Sequence, residues 1–376
     1  MDKQLIEQVL NEYGFQADQV NYKPFGTGHI NSTWLISLQN SSEQYILQSI
    51  NRNVFKEPEI IAANVKLVSD YLKKHNPDYL FVGAIPTREG SEMAFVGDIY
   101  WRLTEFIKNS VSFDTLSDPD QAYEAAVQFG RLNRLLADFD ASQLKETIPG
   151  FHDLGLRYRQ FAESLESTTE SLKQKAEPEI QKAKHYSFIL EYFNSFKNSR
   201  DFPNRVMHHD TKISNMLFDK DTMKGICVID LDTMMSGKFI SDLGDMMRTY
   251  LCAFSENEPD TDKIFIRIEY FEAIIKGYLH EMGSILTEVE KDLILFSGKY
   301  LIYMQAIRFL SDYLNGSIYY PISYPEQKLD RTRNQFKLLA EFFEKEKILV
   351  DIVNKCLKEN KTDIFWAFLF WTGKIK

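Results

Sequence analysis

The first residues of the chain change from a helical to a strand-like pattern of apolar positions. Apolar residues at helical spacing predict an amphipathic helix that ends at Gly14. The segment "VNYKPFGTGHINSTWLISLQ" then alternates apolar and polar residues on both sides of a glycine-containing turn, and "QYILQSI" follows as a third strand. A proline near its start and helical apolar spacing predict a second helix over residues 58–75.

Three more strand-like segments follow that helix, namely "FVGAIPT", "EMAFVG" and "IYWRLTEFI". From Asp120 onward the periodicity is mostly helical, and residues 155–196 read as two helices joined by a charged stretch. The pattern therefore predicts an α+β fold, in which a small, mostly antiparallel sheet with one main helix precedes a larger helical part. The predicted domains are residues 1–107 and 108–376.

One hairpin interrupts the helical part, because "NMLFDKDTMKGICVIDLDT" predicts two strands around a turn. Asp210 precedes its first strand, Asn215 lies five positions after Asp210, and Asp230 is placed at the end of the second strand. A hairpin brings its two outer ends together, so we expect these three side chains to converge. Carboxylate and amide oxygens are hard ligands that suit magnesium better than zinc.

The order and spacing of these residues are typical of phosphoryl transfer. That chemistry requires one aspartate to accept the proton of the attacking hydroxyl, and an asparagine and a second aspartate to hold metal ions. "DTKISN" followed by "VID" has this arrangement. Each motif alone is common by chance, and an Asp–Asn pair that caps a turn is the structural alternative. The joint pattern, downstream of a β-rich region, favours catalysis.

The adjacent histidines His208 and His209 do not indicate a zinc site. Neighbouring residues rarely bind one ion, and no third nitrogen or sulfur ligand is suitably spaced. We predict that His208 supports the loop backbone through hydrogen bonds, while His209 has a packing role.

The composition excludes several classes of function. A net charge of −10 argues against non-specific binding to nucleic acid and to an anionic membrane surface. Three cysteines without CxxC spacing predict reduced thiols rather than disulfides or a zinc site. The apolar run at residues 364–371 is too short to span a bilayer, and the first helix carries acidic residues, unlike a signal peptide. We therefore expect a cytoplasmic protein.

These motifs are similar to those of the aminoglycoside phosphotransferase and choline kinase superfamily, which has a two-lobed, protein-kinase-like fold. Within it the chain resembles the N-acetylhexosamine 1-kinase group, in "FGTGHINSTWLI", "YILQSIN", "VIDLDTMMSG…DLGDMMR" and "AIRFLSDYLNGSIYY". The resemblance implies that Asp210 is the base and that Asn215 and Asp230 bind magnesium. It makes Asp232 a possible second contributor to the metal site.

The resemblance also implies where a nucleotide would bind. The glycine-rich turn would let backbone N–H groups approach the phosphates, and the segment that leaves the last strand would meet the adenine edge. The residues assigned to the turn are Gly26, Thr27, Gly28, His29 and Asn31, and those assigned to the adenine edge are Glu105, Phe106 and Ile107.

One position departs from the superfamily. A lysine on the third strand usually contacts the nucleotide phosphates, and here Gln48 holds that position. Glutamine donates a hydrogen bond but has no charge. We expect either that Arg52 or Lys56 compensates, or that phosphate binding depends on magnesium and the glycine-rich turn.

Residues for the acceptor are less strongly indicated. Arg308 lies in an apolar helical segment, where Asp312 at i+4 would be a simple ion-pair partner. The resemblance instead favours Arg308 as a donor to sugar hydroxyls. Thr233 would face the acceptor, and Tyr319 and Tyr320, with Tyr324 nearby, would stack on a sugar or simply pack.

Arg248 is predicted to brace the site through Asp242 or Asp245. A pocket with an arginine beside tyrosines suits a neutral polyol better than a cation, which prefers acidic and aromatic walls. We therefore predict an enzyme dependent on ATP and Mg²⁺ that phosphorylates a sugar, with the anomeric hydroxyl of GlcNAc or GalNAc favoured. A choline, amino-alcohol or aminoglycoside kinase is one alternative, and a nucleotide-binding pseudokinase, suggested by Gln48, is another.

Overall fold

The computed structural model describes residues 3–26, 30–39, 41–317 and 322–371, with side chains described as far as residue 360. Within these ranges the chain has an α+β fold, with an antiparallel sheet in the N-terminal part and a larger helical C-terminal part. The strands are β1 (Val20–Pro24), β2 (Ser32–Leu38), β3 (Gln44–Ser49), β4 (Ala94–Val96), β5 (Ile99–Glu105), β6 (Ser110–Val111), β7 (Arg205–Met207), β8 (Met216–Asp219), β9 (Gly225–Val228) and β10 (Met235–Gly237).

The helices follow the predicted periodicity closely. They are α1 (Lys3–Glu12), α2 (Pro58–His75), α3 (Pro119–Leu135), α4 (Leu154–Ser167), α5 (Glu170–His185), α6 (Phe188–Phe196), α7 (Ile240–Tyr250), α8 (Ile268–Met282), α9 (Glu288–Asp292), α10 (Ile294–Leu314), α11 (Gln327–Glu344) and α12 (Glu346–Trp371). The first helix ends before Gly14, whose φ of +91° suits a residue without a Cβ atom.

The N-terminal sheet has the strand order β1-β2-β3-β5-β4. Alternate apolar residues of its strands pack with α1 in a small core of their own, which includes Trp34, Leu47, Trp101 and Val9. Helix α2 does not join this core. Its buried residues, such as Val65 and Val68, belong to the large core of the C-terminal helices.

Asn64 fixes α2 to the C-terminal part. Its amide nitrogen donates to the carbonyls of Lys145 and Met234, at 2.8 and 3.0 Å, and its amide oxygen accepts from the Lys145 N–H at 3.0 Å. Asn64 is 1% exposed, so these bonds satisfy an amide group that would otherwise be costly to bury. Helix α2 is thereby held beside the segment that follows the hairpin of β8 and β9.

Two sequence predictions about the elements are wrong. The segment "FVGAIPT" is not a strand: Ile85 donates one backbone hydrogen bond to Leu103 of β5, but Pro86 has no N–H to continue a ladder. Residues 155–196 form three helices instead of two. Thr169 caps the start of α5 by accepting from the Leu172 N–H, and a turn at Tyr186 separates α5 from α6.

The predicted hairpin is present as β8 and β9, with β6 adding a third strand. Helix α7 packs tightly on α10, where a Cβ atom at Gly244 would lie 2.3 Å from the carbonyl oxygen of Ser297. This close approach places the acidic face of α7 beneath the loop between β7 and β8. All three cysteines are buried free thiols, and no helix of the described residues is long and apolar enough to cross a membrane.

Candidate active site

The loop between β7 and β8 is held from below by two buried carboxylates of α7. Asp242 accepts hydrogen bonds from the backbone N–H groups of His208 and His209, at 2.9 and 2.8 Å. Asp245 accepts from the Thr211 N–H at 2.9 Å. His209 has a φ of +66°, which is strained for a residue with a side chain, and the aspartates hold the backbone in that shape.

Both histidine side chains are engaged by the protein. His208 Nε2 lies 3.0 Å from the carbonyl oxygen of Ile229, and the Asp210 N–H donates to His208 Nδ1 at 3.3 Å. His209 Nδ1 lies 3.1 Å from the carbonyl oxygen of Thr233. These rings connect the loop to the segment after β9.

The structure brings together Asp210, Asn215 and Asp230, and it adds a lysine. The Asn215 amide donates to the Asp210 carbonyl at 2.9 Å and to its carboxylate at 3.0 Å. Lys212 Nζ lies 2.8 Å from the same Asp210 oxygen and 3.8 Å from Asp230 Oδ2. Asp230 itself lies two residues beyond β9, with a φ of +61°, and not at the strand end as predicted.

The sequence interpretation did not single out Lys212. This residue lies inside the "DTKISN" motif, and in the structure it is close to both Asp210 and Asp230. Burial opposes its charge, but Asp210 and Asp230 outweigh that effect and raise the pKa of Lys212. Burial would raise the pKa of Asp210, yet Lys212, together with His208 and Asn215, holds it below its ordinary value. Asp210 is therefore an ionised carboxylate at neutral pH, as a base must be.

The pKa of Asp230 is shifted in the opposite direction to that of Asp210. Burial and the neighbouring Asp232 raise the pKa of Asp230 to about 6, against the effect of Lys212. Repulsion among carboxylates of this kind is relieved when a divalent cation binds. No described residue donates a hydrogen bond to the Asp230 carboxylate or to the amide oxygen of Asn215, so both oxygens fit a magnesium ion.

No cluster of three or more His, Cys, Asp or Glu side chains in the described ranges is placed to hold a metal. Mg²⁺ is commonly held by one or two protein oxygens together with substrate phosphates, and a donor set of this size is consistent with that mode.

Asp232 lies near Asp230, but both of its carboxylate oxygens accept hydrogen bonds from other residues. Arg102 Nη1 of β5 donates to Oδ1 at 2.5 Å, and the Asn31 amide donates to Oδ2 at 2.7 Å. Asn31 is fixed in turn by the Asn51 N–H, which donates to its amide oxygen at 3.0 Å. Asp232 therefore joins the N-terminal sheet to the catalytic hairpin.

The nucleotide side of the site is described in part. Thr27, Gly28 and His29 lie outside the described residues. Gly26 has a φ of +77° with open space where a Cβ atom would stand. In the segment that leaves β5, Glu105 is exposed, the Phe106 N–H donates to the Gln44 carbonyl at 3.1 Å, and the Ile107 carbonyl accepts from the Ser110 hydroxyl at 2.6 Å.

The expectation that Arg52 or Lys56 compensates for Gln48 has no support in the structure. Arg52 lies 5.8 Å from the ring centre of Tyr100, and Arg52 and Lys56 line a separate cleft with Glu57. Gln48 instead accepts a hydrogen bond from Arg102 Nη2 at 2.7 Å. Arg102 is a further residue that the sequence interpretation missed. Antiparallel pairing of "YILQSI" with "YWRLTE" would have placed it opposite Gln48.

The residues predicted for the acceptor are partly placed. The Thr233 hydroxyl donates to the His208 carbonyl at 2.7 Å, so its proton is used within the protein. Arg308 lies 5.6 Å from the ring centre of Phe151, while Asp312 forms an ion pair with Lys328 at 2.9 Å. Tyr319 and Tyr320 lie outside the described residues.

Arg248 contacts Asp245 at 2.8 Å and Glu256 at 2.6 Å, and Asp245 in turn holds the catalytic loop. A third missed residue, after Lys212 and Arg102, is His152, whose ring lies 5.2 Å from that of His209. Burial of the ring lowers the pKa of His152, and His209, Arg308 and Arg248 lower it further. Arg248 is therefore paired with two carboxylates, and burial favours the neutral form of His152.

Comparisons with known proteins identify the family and the fold of the chain. Residues 21–272, well over half of the chain, match the APH phosphotransferase enzyme family. A microcompartment-associated aminopropanol kinase is similar with a TM-score of 0.62 and 16% identity, over 91% of this chain and 98% of that one. A spectinomycin phosphotransferase in complex with ADP and spectinomycin gives 0.57 and 16%, over 95% and 98%. A choline kinase from Cryptosporidium parvum gives 0.51 and 15%, over 96% and 99%.

At these identities the solved structures establish the fold. The family match covers the N-terminal sheet and the β8–β9 hairpin. The matched range contains the loop between β7 and β8 with Asp210 and Asn215, the residue Asp230 after β9, and helix α7. The chain therefore belongs to the APH phosphotransferase enzyme family.

Proposed function

We propose that the protein transfers the γ-phosphoryl group of ATP, with Mg²⁺, to a hydroxyl group of a small sugar. The observation that supports phosphoryl transfer is the arrangement of Asp210, Asn215 and Asp230 around Lys212. An ionised aspartate fixed by an amide, beside a second carboxylate of raised pKa, is the donor set that this reaction uses.

Each of these residues has a distinct role in the proposal. Asp210 orients the acceptor hydroxyl and takes its proton, and Asn215 keeps the Asp210 carboxylate in place. Asp230 and the amide oxygen of Asn215 would hold Mg²⁺, which supplies charge neutralisation at the phosphate oxygens when bound. The Lys212 ammonium lies beside the base and attracts the transferred group. Catalysis then rests on positioning and electrostatics without a covalent enzyme intermediate.

The preference for a sugar acceptor rests on the sequence resemblance to the N-acetylhexosamine 1-kinase group and on the arginines near His152. Arg308 and Arg248 both lie close enough to His152 to depress its pKa, and His152 contacts the histidine next to the base. Sugar hydroxyls can accept hydrogen bonds from a guanidinium group such as that of Arg308. We favour the anomeric hydroxyl of an N-acetylhexosamine, because it is more acidic than an ordinary alcohol and demands less of the base.

The test is to incubate the protein with ATP, Mg²⁺ and a panel of sugars and amino alcohols, and to identify products by phosphorus NMR. An anomeric phosphate of GlcNAc or GalNAc supports the proposal. Phosphocholine or a phosphorylated aminoglycoside as the main product would overturn the sugar assignment and keep the kinase. Nucleotide binding without turnover of any acceptor would favour the pseudokinase.

The catalytic assignment has its own control. Asp210→Asn keeps the shape of the side chain and removes the base, so turnover should fall by about 10²- to 10⁴-fold while nucleotide binding is retained. Asp221→Asn, at an exposed turn of the hairpin, is the matched variant and should leave turnover unchanged. Near-normal turnover in Asp210→Asn would refute the role of this residue.

A further inference from the structure

The antiparallel register of β3 and β5 offers a source for the charge that Gln48 lacks. Gln48 is paired with Arg102, so the two side chains lie on the same face of the sheet. Arg102 is 5% exposed, and its guanidinium bridges two polar groups: Nη2 donates to Gln48 at 2.7 Å and Nη1 to Asp232 at 2.5 Å. A permanently charged group therefore lies where the uncharged glutamine stands.

The guanidinium has unused donor capacity. Arginine has five N–H donors in a planar fork. Its Nε is buried and has no hydrogen-bond partner among the described residues. A buried donor without an acceptor is costly, and such a group in a native protein calls for an explanation, such as a functional role or a bound water or ion. The planar fork matches phosphate oxygens, which can accept two parallel hydrogen bonds from it.

The neighbours of Arg102 place it between the two parts of the nucleotide site. Asp232 lies two residues after Asp230, and its second oxygen accepts from Asn31, at the end of the glycine-rich turn. Through Asp232, Arg102 is therefore linked both to Asn31 and to the neighbour of Asp230. Asp232 balances the charge of Arg102, and an anionic phosphate would compete for the same donors.

We propose that Arg102 binds a phosphate oxygen of a nucleoside di- or triphosphate, in place of the lysine that Gln48 replaces. This proposal rests on the proposed function. Gln48 then acts as a positioning residue: it accepts from Arg102 and is itself held by Thr33, to whose hydroxyl it donates at 3.3 Å. The alternative is that Arg102 only ties the sheet to the hairpin through Asp232.

Calorimetric titration with nucleotides of different phosphate content separates these two roles. ATP, ADP and adenosine are titrated into the wild type and into Arg102→Gln, in the presence of Mg²⁺ and of EDTA. A phosphate contact predicts that Arg102→Gln weakens ATP and ADP by about tenfold or more and leaves adenosine within about twofold. A purely structural arginine predicts either no change or an equal loss for all three ligands, and both results would overturn the proposal.

Two further variants keep the test valid if Arg102→Gln folds poorly. Asp232→Asn alone and Arg102→Gln combined with Asp232→Asn avoid leaving a buried carboxylate unpaired, so their comparison isolates the guanidinium. The double variant should bind ADP more weakly than Asp232→Asn by about the same factor, and equal affinities would contradict the proposal. Arg52→Gln, an exposed arginine that lies over Tyr100, is the matched control and should bind ADP like the wild type.

Restoration of the charge from the other strand is a stricter test. Gln48→Lys combined with Arg102→Gln returns a cation to the same face of the sheet and should recover ADP affinity to within about threefold of the wild type. If the wild type binds no nucleotide at all, both the proposed function and this inference fail. If the wild type binds ATP and phosphorylates an acceptor while Arg102→Gln retains full ADP affinity, only this inference fails.

Discussion

The catalytic loop and the junction between the sheet and the hairpin are built in different ways. The loop is a short, continuous segment whose N–H groups are bound by two aspartates of one helix, about 34 residues along the chain. The junction is made by single side chains from distant segments: Asn31 and Arg102 reach Asp232 across 201 and 130 residues. A motif can encode the loop, whereas only the register of separate strands assembles the junction.

The largest stability effect should come from beneath the loop. Asp242 is fully buried, and its carboxylate accepts from two loop N–H groups and from the Asn133 amide. Asp242→Asn replaces one acceptor by a donor facing a donor, so the free energy of unfolding should fall by about 2–4 kcal/mol. Urea unfolding measures the loss. If the change were no larger than that of the exposed Asp221→Asn, the loop would not depend on this support.

Removal of the lysine between the two acids tests the chemistry of the same loop. Lys212→Met should lower kcat by about 10²-fold, because Asp210 and Asp230 lose the cation beside them. Stability should change little, since the Lys212 side chain is 41% exposed. Steady-state kinetics and thermal unfolding together check this prediction. Lys220→Met, at the exposed turn of the hairpin, serves as its control, and an equal kcat in both variants would remove Lys212 from the mechanism.

A smaller stability effect is expected at the attachment of α2. Asn64→Ala removes three hydrogen bonds to backbone groups of Lys145 and Met234, and should cost about 1–3 kcal/mol. The attachment of α2 should loosen before the loop does, so hydrogen exchange should increase in α2 while the amides held by Asp242 stay protected. Asn53→Ala, at an exposed position, should do neither. Uniform loss of protection would instead mean that both regions unfold as one unit.

The smallest effect is a pH dependence of stability from His152. Because the pKa of His152 is lowered in the folded protein from an ordinary value of 6.5, the unfolded chain binds the proton first as the pH falls. Stability should be complete above pH 6.5 and decline below it, by at most about 1.4 kcal/mol per pH unit for this one group. Chemical unfolding between pH 7 and 5.5 measures the slope. His152→Leu should reduce the slope, whereas the exposed His280→Gln should preserve it; the reverse result would contradict the assignment.

Local patterns predicted most of the helices and strands, and they failed where contacts with distant segments decided the structure. The helix over residues 58–75 was predicted to the residue, since a proline start and a regular apolar face are both local features. "FVGAIPT" is as apolar as a strand, but it contacts β5 through one backbone hydrogen bond and does not form a ladder. The resemblance made Asp232 a possible second contributor to the metal site, and its ion pair with the buried Arg102 of β5 was not predicted.

The sequence by itself determined the fold class, the hairpin and the convergence of Asp210, Asn215 and Asp230. These follow from periodicity and from the geometry of one short connection, which restrict the chain locally. Tertiary structure alone decided which cation faces Gln48, which residues surround Asp210 and what Asp232 contacts. The contacts of Arg102 with Gln48 and of Asp232 with Arg102 and Asn31 join segments 54, 130 and 201 residues apart, and their geometry depends on strand register and helix packing, which no local spacing specifies.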